Sequence, residues 1–171
     1  MKCATRLLAA ALLLAPVAAF AAQKPGKGDK LVDVELVTLD GQKTTLTKVI
    51  NGRVAVFKFG ATWCGWCTRQ LAEFKKVAEK YPKDKVAVFD IDVGEGAEKV
   101  RRYGERLKLN FETYLDPKNA AVARYSVRGI PVTIVAAPDG TILYRGYYTP
   151  LFRLEPFIKE GLKALEASEK K

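Results

Sequence analysis

The chain has 171 residues, the size of one ordinary domain, and 49% of them are apolar against 28% charged. That balance excludes wholesale disorder and leaves no room for a two-domain catalytic assembly. It carries 29 Lys and Arg against 19 Asp and Glu, a net charge of +10, with three Cys and no His, so Ser-His-Asp triads, Cys-His pairs, His-ligated metals and imidazole acid–base chemistry are all excluded.

Met1–Ala22 begins with a short basic stretch (Lys2, Arg6), continues as an apolar run from Leu7 to Val17 and ends on Ala19-Phe20-Ala21. This reads as an export signal cleaved after Ala21, giving a signal peptide over 1–21. Retention as a membrane anchor is the alternative, disfavoured by the short run and Pro16. Cys3 precedes the apolar run and would leave with the signal, so the mature chain keeps Cys64 and Cys67. Residues 22–30, including QKPGKGDK, read as a flexible polar linker, and 31–171 as one domain. The basic residues are interleaved with acidic ones, as on a solvated surface. Attraction to anionic headgroups or acidic partners stays open, whereas nucleic acid is not an expected partner.

Val32, Val34 and Leu36 alternate with polar residues, and Asp40-Gly41 turns the chain into Lys43–Leu46, a small β-hairpin. Arg53–Phe59 (RVAVFKF) is an almost unbroken β-prone run, the mark of a central strand covered on both faces. From Gly65 to about Tyr81, Leu71, Phe74, Val77, Ala78 and Tyr81 share one helix face, and Pro82 stops the helix. Lys85–Ile91 predicts a second buried strand, Glu98–Leu109 a basic helix, and Glu112–Leu115 a short segment. Asp116-Pro117 reads as the N-cap and first turn of a helix to Tyr125. Val132–Ala136 and Thr141–Arg145 form a hairpin around Pro138-Asp139-Gly140. A last helix over about Leu151–Ala167 turns Phe157, Ile158, Leu162 and Leu165 inward. The fold class is α/β, a mixed sheet with helices on both faces.

Trp63-Cys64-Gly65-Trp66-Cys67 falls where a central strand ends and a helix begins. A zinc half-site finds no further Cys or His in the mature chain, and a structural disulfide closing so short a loop stabilises little, about 2 kcal/mol. The third reading, a redox dithiol, agrees with local physics, because a helix N-terminus stabilises a thiolate at Cys64. Cys67 lies one turn further on, so Cys64 would attack and Cys67 would resolve the mixed disulfide. Gly65 would admit a partner chain, with Trp63 and Trp66 either contacting it or packing internally. Pro131 stands at a strand mouth, where a tight Ile130–Pro131 bond is plausibly cis. Two thiolates could also hold Cu(I), though without His the usual third ligand is missing.

Phe57–Cys67, Val127–Pro131 and Asp139–Gly146, with the Leu39-Asp40-Gly41-Gln42 hairpin, resemble the thioredoxin superfamily and its exported TlpA/ResA-like thiol-disulfide oxidoreductases. The resemblance covers Leu31 to about Glu160. It implies a thioredoxin-like three-layer sandwich with an N-terminal hairpin and a central αβ insertion between Asp92 and Asp116. It also implies that Pro131 is a cis-proline facing the dithiol, that the Ile130 backbone pairs with an extended substrate, and that Gly146 lines the same groove. The implied activity is a periplasmic reductase of client proteins bearing a disulfide or dithiol, kept reduced by a membrane electron donor, with cytochrome c maturation as one setting. A disulfide-introducing oxidant and a redox-silent peptide-binding module are the alternatives. No cofactor or metal is expected, and a monomer is.

Three positions depart from the family pattern. Lys58 stands where thioredoxins bury an Asp, Gln70 where many relatives have Glu, and Ala72 where thioredoxins commonly have Pro. Lys58 would either tune a thiolate through its charge or point to solvent, and the latter is the expectation.

Overall fold

A computed structural model describes residues 24–170; the expected signal, its cleavage site and Cys3 lie outside them. The elements are β1 (Glu35–Thr38), β2 (Lys43–Thr45), α1 (Leu46–Ile50), β3 (Val54–Gly60), α2 (Gly65–Lys80), β4 (Val86–Val93), α3 (Ala97–Leu107), β5 (Glu112–Asp116), α4 (Ala120–Arg124), β6 (Val132–Ala136), β7 (Ile142–Gly146) and α5 (Leu151–Glu169).

The seven strands form one sheet in the order β2-β1-β5-β4-β3-β6-β7. β3, β4 and β5 run parallel, with β1 antiparallel to β5 and β6 antiparallel to β3. Every residue of β3 is buried, as its unbroken apolar run requires. Alternate residues serve the two faces. Ala55, Phe57 and Phe59 pack with Phe89, Ile91 and Tyr125 on one side, where Phe57 stacks on Phe89 with ring centres 5.0 Å apart. Val54 and Val56 meet Phe74 and Val77 of α2 and Leu154 and Ile158 of α5 on the other.

Several boundaries differ from the expectations. Leu46 does not extend the hairpin; it opens α1, which Thr45 caps by accepting from the Lys48 N–H. Asp116 closes β5 instead of capping a helix, and α4 begins at Ala120 after Asn119, whose φ is 55°. Asp116 still serves that helix, because its Oδ2 accepts from the Val122 N–H at 2.9 Å. On α5 the buried positions are Leu154, Ile158 and Gly161; Phe157, Leu162 and Leu165 are half-buried.

The polar stretch read as a linker is laid along β7. Gly28 N–H donates to the Ile142 carbonyl, Ile142 N–H to Asp29, and Leu31 N–H to Gly140, each at 2.8 Å. Lys30 Nζ pairs with Asp139 at 2.6 Å. Among the described residues no helix is long and apolar enough to cross a membrane.

Candidate active site

β3 lies between parallel β4 and antiparallel β6, and the chain leaves the sheet at Gly60, turns, and enters α2. Cys64 is the N-cap, with extended backbone (φ −87°, ψ 107°). Its Sγ accepts the Cys67 N–H at 3.1 Å, one of the donors a helix start leaves without a partner. α2 has 16 residues and no acidic side chain in its first turn, so no carboxylate of the helix itself offsets the positive end of its dipole at this sulfur. Cys64 and Cys67 are joined in a disulfide with Cα atoms 5.1 Å apart. Cys64 keeps 8% exposure and Cys67 none.

Facing the pair, the Ile130 carbonyl oxygen is 3.8 Å from Cys64 Sγ, and the Ile130–Pro131 peptide bond is cis. Val132 then enters β6 opposite Phe59, so the two segments at the site hang from neighbouring strands. Trp63 and Trp66 are 72% and 55% exposed and do not pack into the core. The Trp66 ring leans on Tyr148 at 5.4 Å and carries the Arg69 guanidinium at 4.6 Å. Among the described residues a side chain at Gly65 would meet nothing within 4 Å, so no contact with them requires the glycine. Gly146 is different: a Cβ there would sit 2.0 Å from the Tyr144 hydroxyl oxygen, so its smallness is demanded by packing.

Beneath the disulfide lies a polar pocket that corrects one expectation. Lys58 does not point to solvent. It is 1% exposed and its Nζ pairs with Asp90, its register partner on β4, at 2.6 Å. A Cβ added at Gly60 would lie 2.2 Å from Lys58 Nζ and 3.2 Å from Cys67 Sγ. These contacts place the ammonium inside the ~4–6 Å range over which a charge shifts a neighbour's ionisation.

Asp92, across from Gly60 in the register, is also buried, and among the described residues its Oδ1 has no hydrogen-bond partner. Burial pushes its carboxyl up to about 8, with the charges of Glu95 and Asp90 adding to the rise and Lys58 opposing it. Glu95 holds the turn before Cys64, accepting the Thr62 N–H at 2.6 Å and the Thr62 hydroxyl at 2.9 Å. Tyr103 of α3 closes the pocket through a 2.6 Å hydrogen bond with Thr68 of α2.

Gln70, buried on α2, makes one hydrogen bond from each end of its amide. Its Nε2 donates to the Thr149 carbonyl at 3.0 Å and its Oε1 accepts the Thr149 N–H at 2.6 Å. It therefore ties α2 to the loop before α5 and has no lone pair committed to the dithiol. Asp90, Asp92, Glu95, Gly60 and Thr149 were not anticipated. A signal for the two aspartates did exist: two carboxylates two positions apart at the end of KVAVFDIDV, on a strand otherwise read as buried, require a partner. Among the described residues no group of three or more Cys, Asp or Glu is placed to hold a metal ion.

Residues 27–145 match the AhpC/TSA family. Among curated relatives, the thiol-disulfide oxidoreductase ResA of Geobacillus thermodenitrificans is 28% identical over 67% of this chain and 66% of its own. Peroxiredoxin Q of Oryza sativa subsp. japonica is 27% identical over 84% of this chain and 68% of its own. The chain thus spans just under two thirds of the ResA proteins it matches. Among solved structures, a Chlorobium tepidum protein described as a candidate thiol:disulfide interchange protein DsbE superposes with a TM-score of 0.72 at 24% identity, over 81% of this chain and 99% of its own. A secreted Mycobacterium tuberculosis disulfide oxidoreductase homologous to DsbE gives 0.62 at 21%, over 74% and 95%. These likenesses establish the thioredoxin-like fold.

Proposed function

The chain belongs to the AhpC/TSA family, and from that premise we propose that it is a thiol-disulfide oxidoreductase reducing disulfides of dedicated client proteins through Cys64 and Cys67. The observation that carries this reading is the position of the Cys64 sulfur. It caps α2, accepts a backbone N–H, and faces the Ile130 carbonyl beside a cis-proline. A thiolate formed there gains the helix field and a fixed donor, and it belongs to the more exposed cysteine of the pair.

In the forward step the Cys64 thiolate attacks one sulfur of a client disulfide, forming a mixed disulfide and releasing the other client sulfur as thiolate. Cys67, deprotonated, then attacks Cys64, and the second client sulfur leaves. Two electrons and two protons end on the client, the chain holds the Cys64–Cys67 disulfide, and an external dithiol restores it. The Ile130 backbone, Pro131 and the exposed Trp63 and Trp66 supply the docking surface around Cys64, with Gly65 leaving room beside it, while the space at Gly146 is taken by the Tyr144 hydroxyl. Lys58 lies close enough to Cys67 to favour its thiolate.

The setting proposed is the periplasm, reached through a signal over residues 1–21 and followed by a thioredoxin-like domain over 31–171. The partners are client proteins and a membrane electron donor.

The deciding experiment uses Cys67→Ser expressed with its own N-terminus, followed by isolation of proteins held on Cys64. Client proteins released by dithiothreitol, absent with Cys64→Ser, are expected; an empty trap overturns the reading. The equilibrium potential against glutathione decides direction, and a value above about −150 mV would assign an oxidant. The 84% coverage by peroxiredoxin Q favours one second reading, hydroperoxide reduction. Dithiothreitol-dependent consumption of hydrogen peroxide faster than reduction of client disulfides would establish it instead.

A further inference from the structure

Beside the cis-proline runs a groove of about 650 Å³ whose walls carry Lys24, Lys27, Arg128 and Arg145, with Gly146 and Tyr147 at its end. Among the described residues no carboxylate lines it. Among the described residues none of these four cations has an acidic partner, although nine ion pairs occur elsewhere on the surface and in the core. The wall is built: Arg145 donates to the carbonyls of Pro25 and Tyr125 at 2.8 and 2.7 Å. Those bonds pin the segment bearing Lys24 and Lys27 against the body of the domain while leaving the guanidinium charge without a counterion. Lys24, Lys27 and Arg128 are exposed.

The groove adjoins the dithiol. Arg128 stands two residues from Ile130, no more than ~7 Å along the backbone, and the Ile130 carbonyl touches Cys64 Sγ. The ring of Tyr147 approaches Gly129 between them.

We propose that this groove binds a carboxylate-rich stretch of the client polypeptide adjoining its disulfide, so that acidic flanks select the clients of this chain. The inference rests on the oxidoreductase reading for the chemistry that follows, but the binding stands apart from it. A client extended across Ile130 brings residues a few positions from its cysteine into a field of four unneutralised cations. Their complement is a run of Asp and Glu. A basic or neutral flank gains nothing there.

The test uses three peptides, each with one cysteine capped as the uncharged S-methyl disulfide and flanked by four Asp/Glu, four Ser or four Lys. Reduction with dithiothreitol as electron source yields the free peptide thiol and methanethiol. In 20 mM salt the acidic peptide is expected to exceed the Ser peptide about tenfold in kcat/KM, within the range electrostatic steering provides, with the Lys peptide slowest. At 0.5 M salt the ratio should fall to about two. In Lys24→Glu/Lys27→Glu/Arg128→Glu the acidic-to-Ser ratio should drop to one or below. Should that variant not fold, Arg128→Glu alone and the salt series on the wild type carry the same readout.

Equal rates for acidic and Ser peptides in low salt overturn the groove and leave the oxidoreductase reading standing. An acidic peptide with Ser in place of its cysteine, followed by fluorescence anisotropy, separates the two cases. If no peptide is reduced but this one binds and the charge reversal abolishes binding, the groove stands and the oxidoreductase reading falls. Sedimentation with phosphatidylglycerol vesicles without preference for the acidic peptide overturns the assignment in favour of a lipid surface.

Discussion

Lys58 and Asp90 face each other across two central strands with almost no access to solvent, and the energetics of such a pair are lopsided. Removing one partner strands a buried charge at a cost of ~3–5 kcal/mol, whereas replacing both by apolar groups is often neutral or better. Lys58→Met should therefore destabilise the protein by that amount in urea unfolding, and Lys58→Met/Asp90→Leu should recover most of it. In the reduced single variant, thiolate absorbance should show one thiol pKa raised by ~1–3 units, since the cation beside Cys67 is gone. Titration curves that superimpose on wild type would reduce Lys58 to a structural part.

Asp92 makes a second test at the same scale. The groups facing it are Lys58 from β3, Asp90 from its own strand, Glu95 from the following turn and Tyr103 from α3. The folded chain holds the Asp92 proton up to about pH 8, while an unfolded aspartate releases it around pH 4. The folded state therefore binds the extra proton between those values, and stability falls as pH rises through that window. Unfolding free energies at pH 5 and pH 8 should differ by a few kcal/mol more in wild type than in Asp92→Asn; identical slopes would contradict it. Cys64 and Cys67 were readable from their spacing across a strand-to-helix junction, and Pro131 because proline is unwelcome at the mouth of a strand. The pairing of Lys58 with Asp90 was not, because it joins residues 32 apart whose only shared property is strand register.

Among the elements, α2 was legible almost to the residue, since its apolar positions recur at three and four and Pro82 ends it. α1 was not. Five residues, LTKVI, are too few to show a helical period, and their β-branched content imitates a strand. α4 was misplaced because Asp116-Pro117 has the composition of a helix start while the chain first completes β5 and turns through Asn119. Gln70 links α2 to the loop before α5 through two hydrogen bonds to one buried backbone unit, beside the bond from the Leu151 N–H to Glu73 and the contact of Trp66 with Tyr148. Gln70→Leu leaves the Thr149 N–H and C=O without those partners and should cost ~2–4 kcal/mol. It should also speed limited proteolysis between Tyr147 and Leu151, and a cleavage pattern unchanged from wild type would show that the loop is held by other contacts.

At the scale of the whole molecule a mixed sheet with helices on both faces follows from alternating strand and helix patterns, and the two buried runs at β3 and β4 identify its centre without reference to any contact, while the strand order β2-β1-β5-β4-β3-β6-β7 does not follow from them. What composition could not convey is the destination of residues 24–30. A Pro/Gly-containing polar stretch has nothing to bury, yet its backbone finds partners on β7 and its lysines complete the basic groove. β7 is the last strand of the sheet, and an open edge strand is a template for pairing with another chain. Residues 28–31 occupy part of that template. A chain beginning at Leu31 should therefore keep its dithiol and its fold yet associate with itself through β7 at high protein concentration, visible as a concentration-dependent mass in light scattering that the longer chain does not show. The segment that looked dispensable is, on this account, a guard against aggregation.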